Sequence, residues 1–275
     1  MKKTIFLAVA ILSLAIIGCE KTTTKYVAVD YPPAAPQGVY SITGDQTVYL
    51  FWSPVREADL AGYRVYWSSN DTDFYLLGTV GANSEEYIDH DVQNGTTYFY
   101  AVAAFDENNN ESELSHESVY DTPRPEGTNL LLADANNFPN SSGYDFSSGL
   151  IVPWDDPNAD IYIDYYSTNG IFYLDAANTS TDLQDMGYTS SFDDITYSPS
   201  SGWSSVGWTE LILGHTYVIW TSDDHYAKLR VTAISAPNTV RFDWGYQTAT
   251  GNPELARPQH DDNYLRREIK GIIIK

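Results

Sequence analysis

The chain has 275 residues, with 37 Asp+Glu against 15 Lys+Arg for a formal charge of −22, 43% hydrophobic and 14% aromatic residues, and a single cysteine. This is enough apolar material for packed cores and excludes a disordered acidic tail, which is poor in aromatics. The charge excludes non-specific nucleic-acid binding, and one cysteine excludes both an intramolecular disulfide framework and a Cys-clustered metal site. The chain opens with a basic pair, Lys2-Lys3, and an apolar run from Ile5 to Ile17 broken only by Ser13. That run is short for a membrane-spanning helix and has the length of a signal-peptide core.

The cysteine follows at once, in Ile16-Ile17-Gly18-Cys19. This resembles the lipobox of bacterial lipoproteins. The resemblance implies cleavage after Gly18 and acylation of Cys19, whose two or more chains suffice for stable anchoring. Residues 1–18 are therefore expected to be a leader and residues 19–31, polar and Thr-rich, a tether. Glu20, in place of the Asp that signals inner-membrane retention, points to the outer membrane or cell surface.

Short alternating runs then recur: Val48 to Trp52, Gly62 to Trp67, Phe74 to Leu77, Tyr87-Ile88 and Thr97 to Ala104, separated by Ser69-Asn70-Asp71, Asn94-Gly95 and Asn108 to Asn110. Such spacing predicts an antiparallel sandwich over residues 32–125. With Pro33 to Gly38 at its start, Trp52, Asp59 to Tyr63, and Val92 to Tyr98 before Tyr100 and Val102, the unit resembles a fibronectin type III domain. Trp52 is expected between the sheets and Tyr98 as a tyrosine corner. Asp106-Asn108-Asn110 has the spacing that opens a calcium loop, but Glu111 replaces the turn glycine, so a solvated hairpin is expected.

Thr122 to Gly127 is rich in Pro and Gly and predicts a linker. Beyond it, residues 126–227 hold 15 Asp+Glu and no Lys or Arg, while residues 228–275 hold 8 Lys+Arg. The basic C-terminal strands are expected to pack against this acidic body. Strand signals dominate residues 128–275, with a meander over Gly214 to Ile234 and Val240 to Gln247; Ser180 to Gly187 reads as a short helical turn. Ala227, Leu229 and Val231 should face inward, leaving Lys228, Arg230, Arg241 and Asp243 as a ladder on the outer face. The expected fold is all-β, a fibronectin type III sandwich followed by a second antiparallel β-rich domain. The stretch Tyr217 to Thr221, a turn at Ser222 to His225, and Tyr226 to Val231 resembles HmuY-like haem-binding lipoproteins over about Gly214 to Glu254. That resemblance implies a β-rich, lipid-anchored domain whose relatives hold haem iron between His or Met side chains. Here His215 and His225 fall at opposite ends of one strand.

Chemistry is sparse. The Asp155-Asp156, Asp193-Asp194 and Asp223-Asp224 pairs read as loop charges, and no nucleophile elbow, zinc-protease motif or phosphate loop occurs. Asp156-Pro157-Asn158-Ala159-Asp160 copies the first half of a calcium loop and lacks its glycine and closing glutamate. Trp203 and Trp208 lie in a Gly/Ser-rich segment, either as exposed platforms for a sugar or protein partner or as lids over the core. The expectation is thus a non-catalytic, surface-anchored binding or adhesion protein without a cofactor, its partner a protein, polysaccharide or small molecule. Candidate contacts are Trp203, Trp208, His225 and Tyr226. The alternatives are haem capture, calcium-strengthened loops, or an accessory carbohydrate-binding role.

Overall fold

The structure, a computed structural model, describes residues 30–256 and 273–274. The described residues from Pro32 onward belong to one compact unit. The leader and Cys19 lie outside the described residues.

The first sandwich is built from β1 (Gln37–Gly44), β2 (Thr47–Ser53), β3 (Leu60–Ser68), β4 (Asp73–Gly81), β5 (Glu86–Asp89), β6 (Tyr98–Asp106) and β7 (Val119–Asp121). β1-β2-β5 form one sheet and β4-β3-β6-β7 the other, the arrangement of a fibronectin type III domain. Trp52, 3% exposed, fills the space between them and packs on Tyr63 at 5.3 Å. The Gln93 amide donates to Tyr98 Oη at 3.0 Å, which closes the expected corner around Asn94-Gly95. The hairpin after β6 exposes Glu107, Asn108 and Asn109, as expected, while Asp106 at its start is buried. Asp106 accepts the amides of Asn108 (2.9 Å) and Asn110 (2.8 Å), so its carboxylate is consumed by its own turn. Burial would raise its pKa, but the bonds from Asn110 and Asn108 outweigh that and hold it low.

The second sandwich contains β8 (Glu126–Ala133), β9 (Gly143–Asp145), β10 (Leu150–Val152), β11 (Ile161–Tyr166), β12 (Ile171–Ala176), β13 (Asp182–Tyr188), β14 (Trp208–Glu210), β15 (His215–Trp220), β16 (Tyr226–Ser235) and β17 (Thr239–Gln247). Its two five-stranded sheets, β10-β9-β11-β12-β14 and β13-β15-β16-β17-β8, are antiparallel throughout. They enclose a core of Ile161, Ile163, Phe172, Leu174, Tyr217, Ile219, Leu229, Val231 and Phe242, among others. A last strand, β18 (Ile273–Ile274), runs parallel to β4 of the first sandwich. Apart from two 3-10 turns, Pro139–Ser141 and Phe192–Asp194, the regular structure among the described residues is strand. The fold is all-β.

Three expectations are corrected. Ser180 to Gly187 is not helical: Asp182–Tyr188 pairs with β15 and sends Leu183 into the core, so tertiary pairing overrides the local signal. The outer-face ladder holds only in part. Arg230 does oppose Asp243, but Lys228 is wholly buried beneath the segment after β13, where its Nζ donates to the carbonyls of Phe192 (2.7 Å) and Ile195 (3.2 Å). A bulge at Val231/Ala233 shifts Arg241 opposite Ala233. Finally, the Pro/Gly linker is not exposed. Thr122, Pro123 and Arg124 are buried, and the segment is sewn into both sandwiches. The Arg124 amide donates to Gly44 O (3.1 Å), the Gly95 amide to Pro123 O (2.8 Å), and the Tyr246 amide to Pro125 O (2.9 Å). At Gly95, whose φ is +79°, a Cβ would stand 2.6 Å from Thr248 Oγ1, so only glycine lets the corner of the first sandwich approach the second.

Candidate functional site

Strand alternation decides what the sheet containing β11 and β12 shows to solvent. Ile161, Ile163 and Tyr165 on β11, with Phe172 and Leu174 on β12, turn to the core. Their neighbours Tyr162, Asp164, Tyr166, Tyr173 and Asp175 must then turn out. The register places Asp175 opposite both Trp208 on β14 and Tyr162 on β11. Tyr173 opposes Glu210 and Asp164, and Ile171 opposes Tyr166. Residues directly across share a face, so aromatic and acidic groups alternate both along and across the strands.

The rings touch. Trp208 stands edge-on to Tyr173 (5.0 Å, 90°), and Tyr173 to Tyr166 (5.4 Å, 76°). Asn169 Nδ2, from the β11–β12 turn, donates to Tyr173 Oη at 2.9 Å and holds that ring. Tyr166, Asn169, Tyr173, Asp175 and Trp208 line a cavity of about 250 Å³. Trp208 remains 45% exposed and Tyr166 54%. Trp154, 42% exposed, packs on Tyr162 at 5.6 Å farther along the same sheet.

Between these ring clusters Asp164 and Asp175 face each other diagonally and share a hydrogen bond. Burial, then the charge of Asp164, pushes the Asp175 carboxyl up to about 7. Burial also raises Asp164, partly offset by its bond to Asp175. With burial, the same two carboxyls drive the Tyr162 hydroxyl up to about 12. Near neutral pH the pair therefore offers both a proton donor and acceptor oxygens.

The structure separates the two tryptophans of the Gly/Ser-rich segment. Trp208 joins the platform just described. Trp203 is half-buried against Trp220 (6.0 Å), which stacks on Tyr226 (5.6 Å, 18°) on the outer face of the other sheet. Neither is a lid over the core. Ser204 fixes the crossing between them, its amide donating to Leu183 O (2.7 Å) and its hydroxyl to Trp208 O (2.8 Å). Tyr226 thus stands apart from Trp208. His225 lies at its hairpin as expected, with Nδ1 3.2 Å from Asp223 Oδ1 and Nε2 3.2 Å from Thr250 Oγ1. His215 Nδ1 meets both carboxylate oxygens of Asp185 at 3.0 Å. The length of β15, roughly 17 Å at ~3.4 Å per residue, separates the two imidazoles, so they do not converge on one metal. In the loop that copies half a calcium motif, Asp156 accepts the Asn158 amide and Asp160 the Phe146 amide, both at 2.9 Å. The Asp160 carboxyl is buried and pushed up to about 6 by that burial. These acids serve their own backbone rather than a common centre.

Sequence reading missed Tyr166, Tyr173, Asp164, Asp175 and Trp154. The signal was present in Tyr162 to Tyr166 and Phe172 to Ala176, two alternating runs joined by a turn, whose polar face repeats Tyr and Asp. What was not visible is that the two runs lie side by side.

No family model matches the chain. It is similar over 87 residues, 36% identical, to an amylopullulanase of Thermoanaerobacterium saccharolyticum, a stretch covering 32% of this chain and 7% of that protein. An amylopullulanase of Thermoanaerobacterium thermosulfurigenes is 29% identical over 137 residues, 49% of this chain and 7% of its own length. The chain thus spans less than a tenth of the curated relatives it matches. Among solved structures, an Fn3-like protein from Clostridium thermocellum is 26% identical over 34% of this chain and 98% of its own, with a TM-score of 0.28. A beta-1,2-glucanase from Parabacteroides distasonis is 24% identical over 36% of this chain and 13% of its own, with a TM-score of 0.30.

Proposed function

We propose that the chain is a non-catalytic, lipid-anchored accessory protein that binds neutral polysaccharide on the Tyr166/Tyr173/Trp208 platform, with the fibronectin type III-like sandwich as spacer. The observation that carries this reading is the alternation of exposed rings with hydrogen-bonding carboxyls on one open sheet face. A sugar ring has just these two needs, an apolar C–H face that packs on an aromatic and a rim of hydroxyls that exchange hydrogen bonds. Similarity to segments of amylopullulanases, whose name denotes action on polysaccharide, points the same way. The anchor rests on the Ile16 to Cys19 sequence.

The test is calorimetric titration with soluble starch and pullulan. Trp208→Ala should weaken binding about tenfold, since one stacked ring contributes roughly 1 kcal/mol or more, with an unchanged melting temperature. Undiminished binding by the Trp208→Ala/Tyr173→Ala double variant would place the site elsewhere. A Soret band with haemin that is lost in His225→Ala is the result that would favour haem capture instead.

A further inference from the structure

Resting on the carbohydrate reading, we infer that the ligand is an extended neutral glycan of at least three rings that crosses the strands, and that Trp154 with Tyr162 forms its second aromatic subsite. Trp208, Asp175 and Tyr162 lie in one register row across β14, β12 and β11. Neighbouring strands are ~4.8 Å apart, so Trp208 and Tyr162 are separated by roughly 10 Å, with Asp175 between them. A glycan in which each ring advances by about one strand spacing places one ring on Trp208, a second over Asp175 and a third on Tyr162/Trp154.

The second subsite is built by the chain. The residue opposite Tyr162 on β9 is Gly143. A Cβ there would lie 2.7 Å from Pro153 O and 3.0 Å from Val152 O. The missing side chain lets the end of β10 fold close over β9, where the Trp154 amide donates to Pro139 O at 3.0 Å. That fold-over delivers the indole to Tyr162.

Charge selects the ligand class. Glu210 and the Asp164/Asp175 pair share the face, and residues 126–227 contain no Lys or Arg to neutralise an anion. Acidic glycans are repelled, and an apolar protein surface would bury these carboxyls without partners. A neutral chain of hydroxyl-bearing rings satisfies both the rings and the acids.

The experiment is titration of the protein with α-1,4- and β-1,4-linked gluco-oligosaccharides of one to six rings. Affinity should climb through at least three rings in the unaltered protein. Trp154→Ala should flatten that climb by about tenfold at the longer lengths while leaving the shortest ligands unaffected; Trp154→Phe, which keeps a ring, should restore most of it. Trp208→Ala should weaken every length. If Trp154→Ala, with an unchanged melting temperature, reproduces the original length dependence, the second subsite is wrong while the platform stands. If the unaltered protein binds neither these series nor starch nor pullulan, the platform reading and this inference fall together.

Discussion

Arg124 Nη2 and Lys228 Nζ, both wholly buried where the two sandwiches meet, approach the same oxygen, Asp193 Oδ1, at 4.0 and 3.5 Å. Arg124 also pairs with Glu126 at 3.0 Å, and the Lys228 ammonium sits 4.0 Å above the Phe192 ring. Burial and the neighbouring guanidinium push Lys228 down to about 7, while Asp193 and Glu126 pull it back. The acidic body and the basic strands therefore do meet, at one enclosed point.

Removing the shared anion should cost more than removing a cation. Asp193→Ala leaves two buried positive groups facing each other and should lose roughly 2–3 kcal/mol, below the roughly 3–5 kcal/mol of a fully buried broken pair because Asp193 is part-exposed. Lys228→Met, similar in length and apolar, should lose less. Urea denaturation of both variants reads the difference; equal losses would mean that Asp193 does not hold the cluster.

Asp175 gives the platform a pH signature. Its pKa is about 7 in the folded chain against an ordinary 3.8, so the folded state keeps a proton that the unfolded chain has released. Its contribution to stability is full below about pH 4 and is lost as pH rises through 7. The groups facing it are Asp164 and Tyr162 on β11, Tyr173 on its own strand and Trp208 on β14, with the charge of Asp134 acting on Asp164. Asp175→Asn should change little at pH 4 and stabilise by about 1–2 kcal/mol at pH 8 after solvent screening. Thermal melts at the two pH values check this; an identical effect at both would remove the shared proton.

The tyrosine corner of the first sandwich has a counterpart in the second. Tyr217 Oη accepts the Ile212 amide and donates to Glu210 O, both at 2.8 Å, five and seven residues upstream. Tyr217 is wholly buried, whereas Tyr98 is only half-buried. Tyr217→Phe strips partners from both backbone groups and should cost roughly 2–3 kcal/mol, against about 1 kcal/mol for Tyr98→Phe. Chemical denaturation of the two variants ranks them.

The first sandwich was legible because its markers are local. Trp52, the Asn94-Gly95 turn and Tyr98 lie within short, patterned runs, and each occupies the place its pattern implies. The β15–β17 meander was legible for the same reason. Lys228 was not, because alternation gives its face but not the loop that closes over that face. Thr122 to Pro125 has the composition of an exposed linker, and only the two folded bodies pressing on it make it interior. Trp208 was visible as a candidate, but the rings around it come from β11 and β12, more than thirty residues upstream. Pairing it with Trp203 followed sequence proximity, which the crossing at Ser204 breaks.

Along β11 and β12, every residue that meets solvent alternates with one that meets the core. The residues that present the open face and those that keep the chain folded are therefore different sets, interleaved on the same backbone. Tyr166, Tyr173 or Asp175 can be exchanged by mutation while Ile163, Phe172 and Leu174 go on specifying the same sandwich. On the carbohydrate reading proposed above, such a surface is expected to drift from one glycan to another without passing through unfolded intermediates.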